Sequence, residues 1–176
     1  MTEIPSLDHG VIGNGQVIAL VSPTTHIDWL CLPRFDSPSI FARLLDTDCG
    51  GSFGFDVPDD ARLEMGYVRN TNVLRTRVTS ADGDFDIFDY APRIPSGLGV
   101  EAPIEIHRVL FPRRGNPRFR VRFDPRPDYA RATPEVVEVA RGLDVRGGPL
   151  PIFLRSNTPA PFLTNNLWIR LDTPQY

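Results

Sequence analysis

Short apolar runs recur along this chain at roughly ten-residue intervals, separated by Gly, Pro, Asn or Asp, which is the rhythm of an antiparallel sandwich or barrel. The pattern predicts strands over residues 17–21, 27–32, 52–57, 72–79, 84–90, 104–111, 118–123, 136–140, 151–155 and 167–171. Strict alternation in RFRVRF puts Phe119, Val121 and Phe123 on one face and Arg118, Arg120 and Arg122 on the other, so one face is core. The sharpest hairpin signal is Asp82-Gly83 between VLRTRVTSA and DFDIFDY, because Asp-Gly supplies the positive backbone angles of a tight primed turn. One helix is expected, with Ser37 as cap, Pro38 at the first helical position, and Ile40, Phe41, Leu44 and Leu45 at spacings of three to four. The stretch 93–102 reads as the least structured loop. Internal repeats, low-complexity tracts and interdomain linkers are missing from the sequence. The expectation is an all-β fold, an antiparallel β-sandwich with one short helix, forming a single domain over residues 1–176. The closing NNLWIRLDTPQY reads as one strand and the start of another, so the sandwich is expected to lack its last strands.

Composition narrows the class. A chain of 176 residues is long enough for one domain that buries about 70% of its unfolded surface. Hydrophobic residues at 41% and charged residues at 23% exclude disordered and fibrous classes. All 19 basic residues are arginine, which favours two-pronged and stacked contacts, although a GC-rich coding sequence produces the same bias. A net charge of -3 gives no global attraction to nucleic acid or anionic membranes. The string Arg113, Arg114, Arg118, Arg120, Arg122, Arg126 does not alter that, because Phe119 and Phe123 point away from it and offer no stacking platform; it reads as a solvated face or one meeting acidic groups of a partner domain. Cys31 and Cys49 are too few for a disulfide scaffold, and Cys31, inside an apolar run, reads as a buried thiol. With Glu3 and Asp8 ahead of the first apolar stretch and no apolar run of membrane length, a cytoplasmic location is expected. His9, His26 and His107 are too scattered for a metal site, GVIGNG precedes a strand instead of linking strand to helix, and no cofactor is implied.

The candidate chemistry is concentrated in IDWLCLPRFDSPS, residues 27–39, where a strand runs into a polar loop. Sugar recognition needs an aromatic face against a ring's C–H side and planar charged groups for adjacent hydroxyls, and Trp29 or Phe35 with Asp28, Arg34 and Asp36 supplies both. The competing reading is that Trp29 fills the core and Arg34 pairs with Asp36 or Asp28 to hold the loop. A second cluster, DPRPDYAR, offers Arg126, Asp128, Tyr129 and Arg131, stiffened by Pro125 and Pro127, which alternatively serve to keep a sheet edge from pairing further. Asp84 and Asp86 alternate with Phe85 and Ile87 and read as a solvated strand face, not as an acid and base pair. No catalytic residue is assigned.

Several separated stretches carry a family resemblance: IGNGQVIALVSPTTHIDWLCLPRFDSPSIFARLLD, GGSF, YVRNTNVLRTRVTSADGDFDIFDYAP and RVRFDPRPDYARA, together spanning roughly residues 12–132. They resemble the amino-terminal domain of bacterial glucoamylase-like and trehalase-like enzymes, glycoside hydrolase family fifteen. The resemblance implies a supersandwich-like β domain that braces a C-terminal helical (α/α)6 barrel, where the two catalytic carboxylates reside. It also implies inverting hydrolysis of a terminal α-glucosidic bond, with an α-glucoside or trehalose-type sugar as substrate. The Arg34 loop and the Arg126–Tyr129 loop would then meet on the face turned toward the barrel. A stand-alone carbohydrate-binding module and a purely structural or interaction domain are the alternatives.

Overall fold

The computed structural model describes residues 8–97 and 99–176; Glu3 and the rest of residues 1–7, and Leu98 of the 93–102 loop, lie outside the described residues. In chain order the strands are β1 (Gly10–Gly13), β2 (Ile18–Val21), β3 (Ile27–Cys31), β4 (Ser39–Phe41), β5 (Ser52–Asp56), β6 (Arg62–Tyr67), β7 (Leu74–Thr79) and β8 (Gly83–Tyr90). They continue with β9 (Ile94–Ser96), β10 (Gly99–Glu101), β11 (His107–Gly115), β12 (Arg118–Asp124), β13 (Glu135–Val139), β14 (Gly142–Arg146) and β15 (Ile152–Arg155). Helix α1 (Ala160–Thr164) and β16 (Ile169–Arg170) complete the order. The all-β antiparallel sandwich with one short helix is what the alternation predicts.

A seven-stranded sheet, ordered β1-β2-β3-β5-β12-β16 with β4 on β3, faces a four-stranded sheet ordered β11-β8-β7-β6. Core side chains come from both: Phe55, Phe119 and Val121 from the first pack with Val78, Phe85, Ile87 and Leu110 from the second. A second cluster joins Ile12, Val21, Ile27, Leu30, Ile40 and Phe41 to Leu74. Phe119 and Val121 are buried at 1% and 4% exposure, as the RFRVRF alternation requires. Their arginine neighbours lie outward, Arg120 and Arg122 both on Asp56 at 2.8 and 2.6 Å. A three-stranded sheet, β13-β14-β15, and the β9-β10 hairpin are separate.

Four expectations are corrected. The helix over residues 37–45 does not form: Ser39, Ile40 and Phe41 are all buried and pair with β3 as β4, Leu30 opposite Phe41 and Cys31 opposite Ser39. A segment flanked on both sides is better served by a strand than by a two-turn helix with a costly nucleus. Leu45, needed for the helical stripe, is 72% exposed, and the one described helix is α1. The 93–102 loop is largely a hairpin, with Val100 opposite Pro95. The β7-β8 hairpin forms, but Ser80 N–H donates to the Gly83 carbonyl at 3.1 Å, so Ala81 and Asp82 make the tip. Gly83 is needed for another reason: a Cβ there would lie 2.3 Å from the Arg114 carbonyl oxygen, where β11 ends against β8. Finally, Asp86 is not solvated; it is 2% exposed beneath Arg77 at 2.9 Å and Arg113 at 3.5 Å.

The two sheets are joined by a buried charge. Arg108 of β11 and Asp89 of β8 are register partners on the inner face, 5% and 0% exposed. Arg108 Nε and Nη2 donate to the two Asp89 carboxylate oxygens at 2.8 and 3.2 Å. Two further N–H groups cross between the sheets, one of Nη1 to the Phe53 carbonyl at 2.6 Å and one of Nη2 to the Thr25 carbonyl. The guanidinium sits 4.5 and 4.9 Å from the ring centroids of Phe55 and Phe53. Thr25 itself holds φ 76° with no exposure, fixed by its hydroxyl, which donates to the Phe55 carbonyl at 2.7 Å and accepts from Phe55 N–H at 3.0 Å. A β-branched residue in the left-handed region is strained, and these contacts are what hold it there.

Candidate functional site

Strand β3 delivers the first candidate loop and stops at Cys31, where the cis Leu32–Pro33 peptide turns the chain. Arg34 and Ser37 close the loop on themselves: Ser37 N–H donates to the Arg34 carbonyl at 3.1 Å, and Arg34 N–H to Ser37 Oγ at 3.2 Å. Arg34 grips Asp36 with two prongs, Nε to Oδ1 at 2.9 Å and Nη2 to Oδ2 at 3.3 Å. The hydrogen bond from Arg34 holds the Asp36 carboxyl below the ordinary carboxylate value and raises Arg34 in return. Both side chains are more than half exposed, so the pair contributes little stability. Phe35, between them in sequence, is 53% exposed.

The second loop leaves β12 and docks on β4. Arg126 N–H donates to the Ile40 carbonyl at 2.9 Å and Tyr129 N–H to the Ser39 carbonyl at 3.4 Å. The strand that replaced the expected helix therefore joins the two loops. Asp128, Tyr129 and Ala130 have φ of 55°, 55° and 61°, a single left-handed turn of three L-residues. Ala130 N–H to the Arg126 carbonyl at 3.1 Å and Arg131 N–H to the Asp128 carbonyl at 3.0 Å close it. Such a conformation costs about 1–2 kcal/mol per residue. The turn presents Tyr129 at 45% exposure, with the Arg131 guanidinium 5.8 Å from its ring centroid, while Arg126 pairs with Asp124 at 2.9 Å. Replacing Ala130 by Gly should relieve the strain at that position and raise stability by about 0.5–1 kcal/mol, the gain being trimmed by glycine's extra unfolded-state entropy. Urea unfolding measures it; a loss of stability would contradict the left-handed turn.

The other two candidates lie in the strand body. Asp28 is 8% exposed and spent internally, accepting from His9 Nε2 at 3.2 Å and Arg43 Nη1 at 3.3 Å. Burial of a carboxylate between two cationic or donor partners is a structural arrangement. Trp29 is half-buried on β3 opposite Leu20. The structure thus docks the backbone of the loop carrying Arg126, Asp128 and Tyr129 on β4, the strand that follows the loop of Arg34, Phe35 and Asp36, while Asp28 and Trp29 lie within β3. The carboxylates of DFDIFDY are all held by arginine: Asp84 by Arg114 at 2.9 Å, Asp86 by Arg77, Asp89 by Arg108. The hydrogen bond from Arg114 also keeps the Asp84 carboxyl below its ordinary value, which suits an ion pair and not a proton donor. No helix among the described residues is long and apolar enough to cross a membrane.

Several known proteins are similar to part of this chain. Trehalase 1 of Sulfolobus acidocaldarius is 42% identical over 103 residues, 58% of this chain and 17% of that protein. The trehalase of Thermoplasma volcanium is 35% identical over 105 residues, 58% of this chain and 16% of its own length, and that of Mycobacterium tuberculosis is 37% identical over 66 residues, 35% of this chain and 10% of that protein. The matched part of this chain thus spans under a fifth of the length of these relatives. No solved structure gives a significant match. The family model described as Trehalase-like, N-terminal matches residues 3–161, nearly the whole chain, and the chain belongs to that family.

Proposed function

We propose that this chain is the non-catalytic β-sandwich of a trehalase-type glycoside hydrolase, that it braces a C-terminal (α/α)6 catalytic barrel, and that its β4 end edges the barrel's substrate pocket. In that whole protein the substrate would be trehalose or a related α-glucoside cleaved with inversion. The observation that supports the reading is the docking of the Arg126–Tyr129 loop on β4, directly after the Arg34 loop in the chain, with Phe35 and Tyr129 both exposed. Stiff, prepaid geometry lowers the ordering cost when a partner domain or sugar arrives. The acid and base would come from the barrel.

Arg34→Lys in the full-length enzyme tests it. Lysine keeps the charge and loses the two-pronged geometry. kcat/KM should fall about 10-fold or more with an unchanged melting temperature; wild-type kinetics would remove Arg34 from the pocket. The second reading, a self-sufficient carbohydrate-binding module, is favoured by the exposure of Phe35 and Tyr129. Calorimetric sugar binding by the isolated chain that disappears in Tyr129→Ala would favour it.

A further inference from the structure

We propose a second, separate carbohydrate site: the cleft of about 270 Å³ between α1 and β16, built to take one neutral hexopyranose unit against Trp168 and Phe162. It lies toward the opposite end of β12 from the Tyr129 loop: Trp168 is level with Arg120, four positions or about 13 Å along the strand from Asp124, where that loop leaves. It is therefore not a part of the β4 end, and it stands whether or not that end borders a catalytic pocket.

Two aromatic rings line the cleft while remaining 40% (Trp168) and 36% (Phe162) exposed. Each is anchored by a neighbour that is not. Leu163, next to Phe162, is 6% exposed in the core between the sheets and pins α1. Trp168 directly precedes β16, whose register sets Ile169 opposite Phe119 and Arg170 opposite Arg118, so Trp168 falls level with Arg120. The Arg118 and Arg120 guanidinium groups sit 5.1 and 5.0 Å from the Trp168 ring centroid. Both arginines are fixed in turn, by Asp82 at 2.9 Å and Asp56 at 2.8 Å. As alternate residues of the strand they belong to the same face of β12. The indole is thus held before any ligand arrives.

Polar groups complete the lining. Among the described residues Arg170 spends Nε on Asp172 at 2.7 Å and Nη2 on Asn116, leaving Nη1 to donate. Gln175 Nε2 reaches only Thr173 among the described residues, with two contacts at 3.4 Å that are long for hydrogen bonds, while its Oε1 accepts from the Thr158 hydroxyl at 2.9 Å. Asn157 Nδ2 uses one N–H on the Pro174 carbonyl at 3.0 Å. A flat aromatic wall with spare N–H donors beside it is complementary to a pyranose, whose C–H face is apolar and whose hydroxyls accept. An anionic ligand is disfavoured because Asp172 neutralises Arg170. The volume sits just under the roughly 300 Å³ at which pockets for drug-sized ligands begin, so one ring enters and a longer glycan would trail into solvent.

The test is titration of the ¹⁵N-labelled chain with trehalose and with maltotriose, following the indole N–H resonances of its two tryptophans. Trp168→Phe identifies the Trp168 signal. The expected result is a saturable shift of that signal with a Kd on the order of 1 mM, weakened about 10-fold or more in Trp168→Ala. Should Trp168→Ala lose its folded spectrum, Phe162→Ala replaces it with the same expectation. The proposal is overturned by a folded chain whose Trp168 signal does not saturate, by an equal response to sorbitol, which has no ring, or by binding that survives both alanine variants.

Discussion

Arg108→Met should cost the isolated chain about 3–5 kcal/mol, because it removes one partner of a buried ion pair and strands the other. Asp89 would be left at 0% exposure without its guanidinium partner, and the carbonyls of Phe53 and Thr25 would lose their donors. Domains of this kind hold only about 5–15 kcal/mol in total, so the loss is a large fraction of the whole. Urea unfolding at neutral pH measures it. Removing the charge from both sides, as Arg108→Met with Asp89→Leu, should recover part of the loss, since a buried pair replaced by apolar side chains is often neutral. A loss below about 1 kcal/mol in the single variant would mean the pair is not sequestered from water.

Lowering the pH from 7 to 5 should destabilise the chain by about 2 kcal/mol through His26 alone. His26 is packed so tightly that a Cβ on Gly54 would lie 2.4 Å from its ring, and its Nδ1 is 3.1 Å from Ser52 Oγ. Burial first, and then the Arg43 charge, lower its pKa to about 4, against the opposing pull of Asp28 and Asp56. In the unfolded chain the ring titrates near 6.5. Between those values the unfolded state takes up a proton that the folded state refuses, so stability falls as pH drops below about 6.5, by about 1.4 kcal/mol per unit, and the loss is complete below about 4. The paired carboxylates Asp36 and Asp84, held below the ordinary 3.8, act at lower pH. In His26→Asn the slope between pH 5 and 6.5 should flatten; an unchanged slope would assign it to other groups.

The alternation that made β12 and β8 readable also contained the buried pair, though it takes two strands to see it. Asp89 shares the parity of Phe85 and Ile87, and Arg108 that of Leu110, so both charges stand on core faces. What no one-dimensional pattern supplies is the register that sets them opposite each other. Three of the strands that sequence missed have physical reasons as well. β6 is an edge strand with little buried surface, β1 begins and ends in glycine, and β4 carries three consecutive buried residues with neither period. At the candidate site the residues around Arg34 and Tyr129 were legible by type, and so was the possibility that their loops meet. The left-handed turn was not, because Asp128, Tyr129 and Ala130 include no glycine to announce positive φ.

The place of β5 in the larger sheet has a consequence for how the chain is made. Its partner on one side, β3, precedes it, but on the other side it waits for β12, with Asp56 bonded to Arg120 across 64 positions. At ribosomal speeds of about 5–20 residues per second, the edge of SFGFD stands open for roughly 3–13 s after it has been synthesised. Two phenylalanines on an unpaired edge are a ready template for another nascent chain. Asp56, which ends the strand and later binds two arginines, is the charge that guards it in the interval.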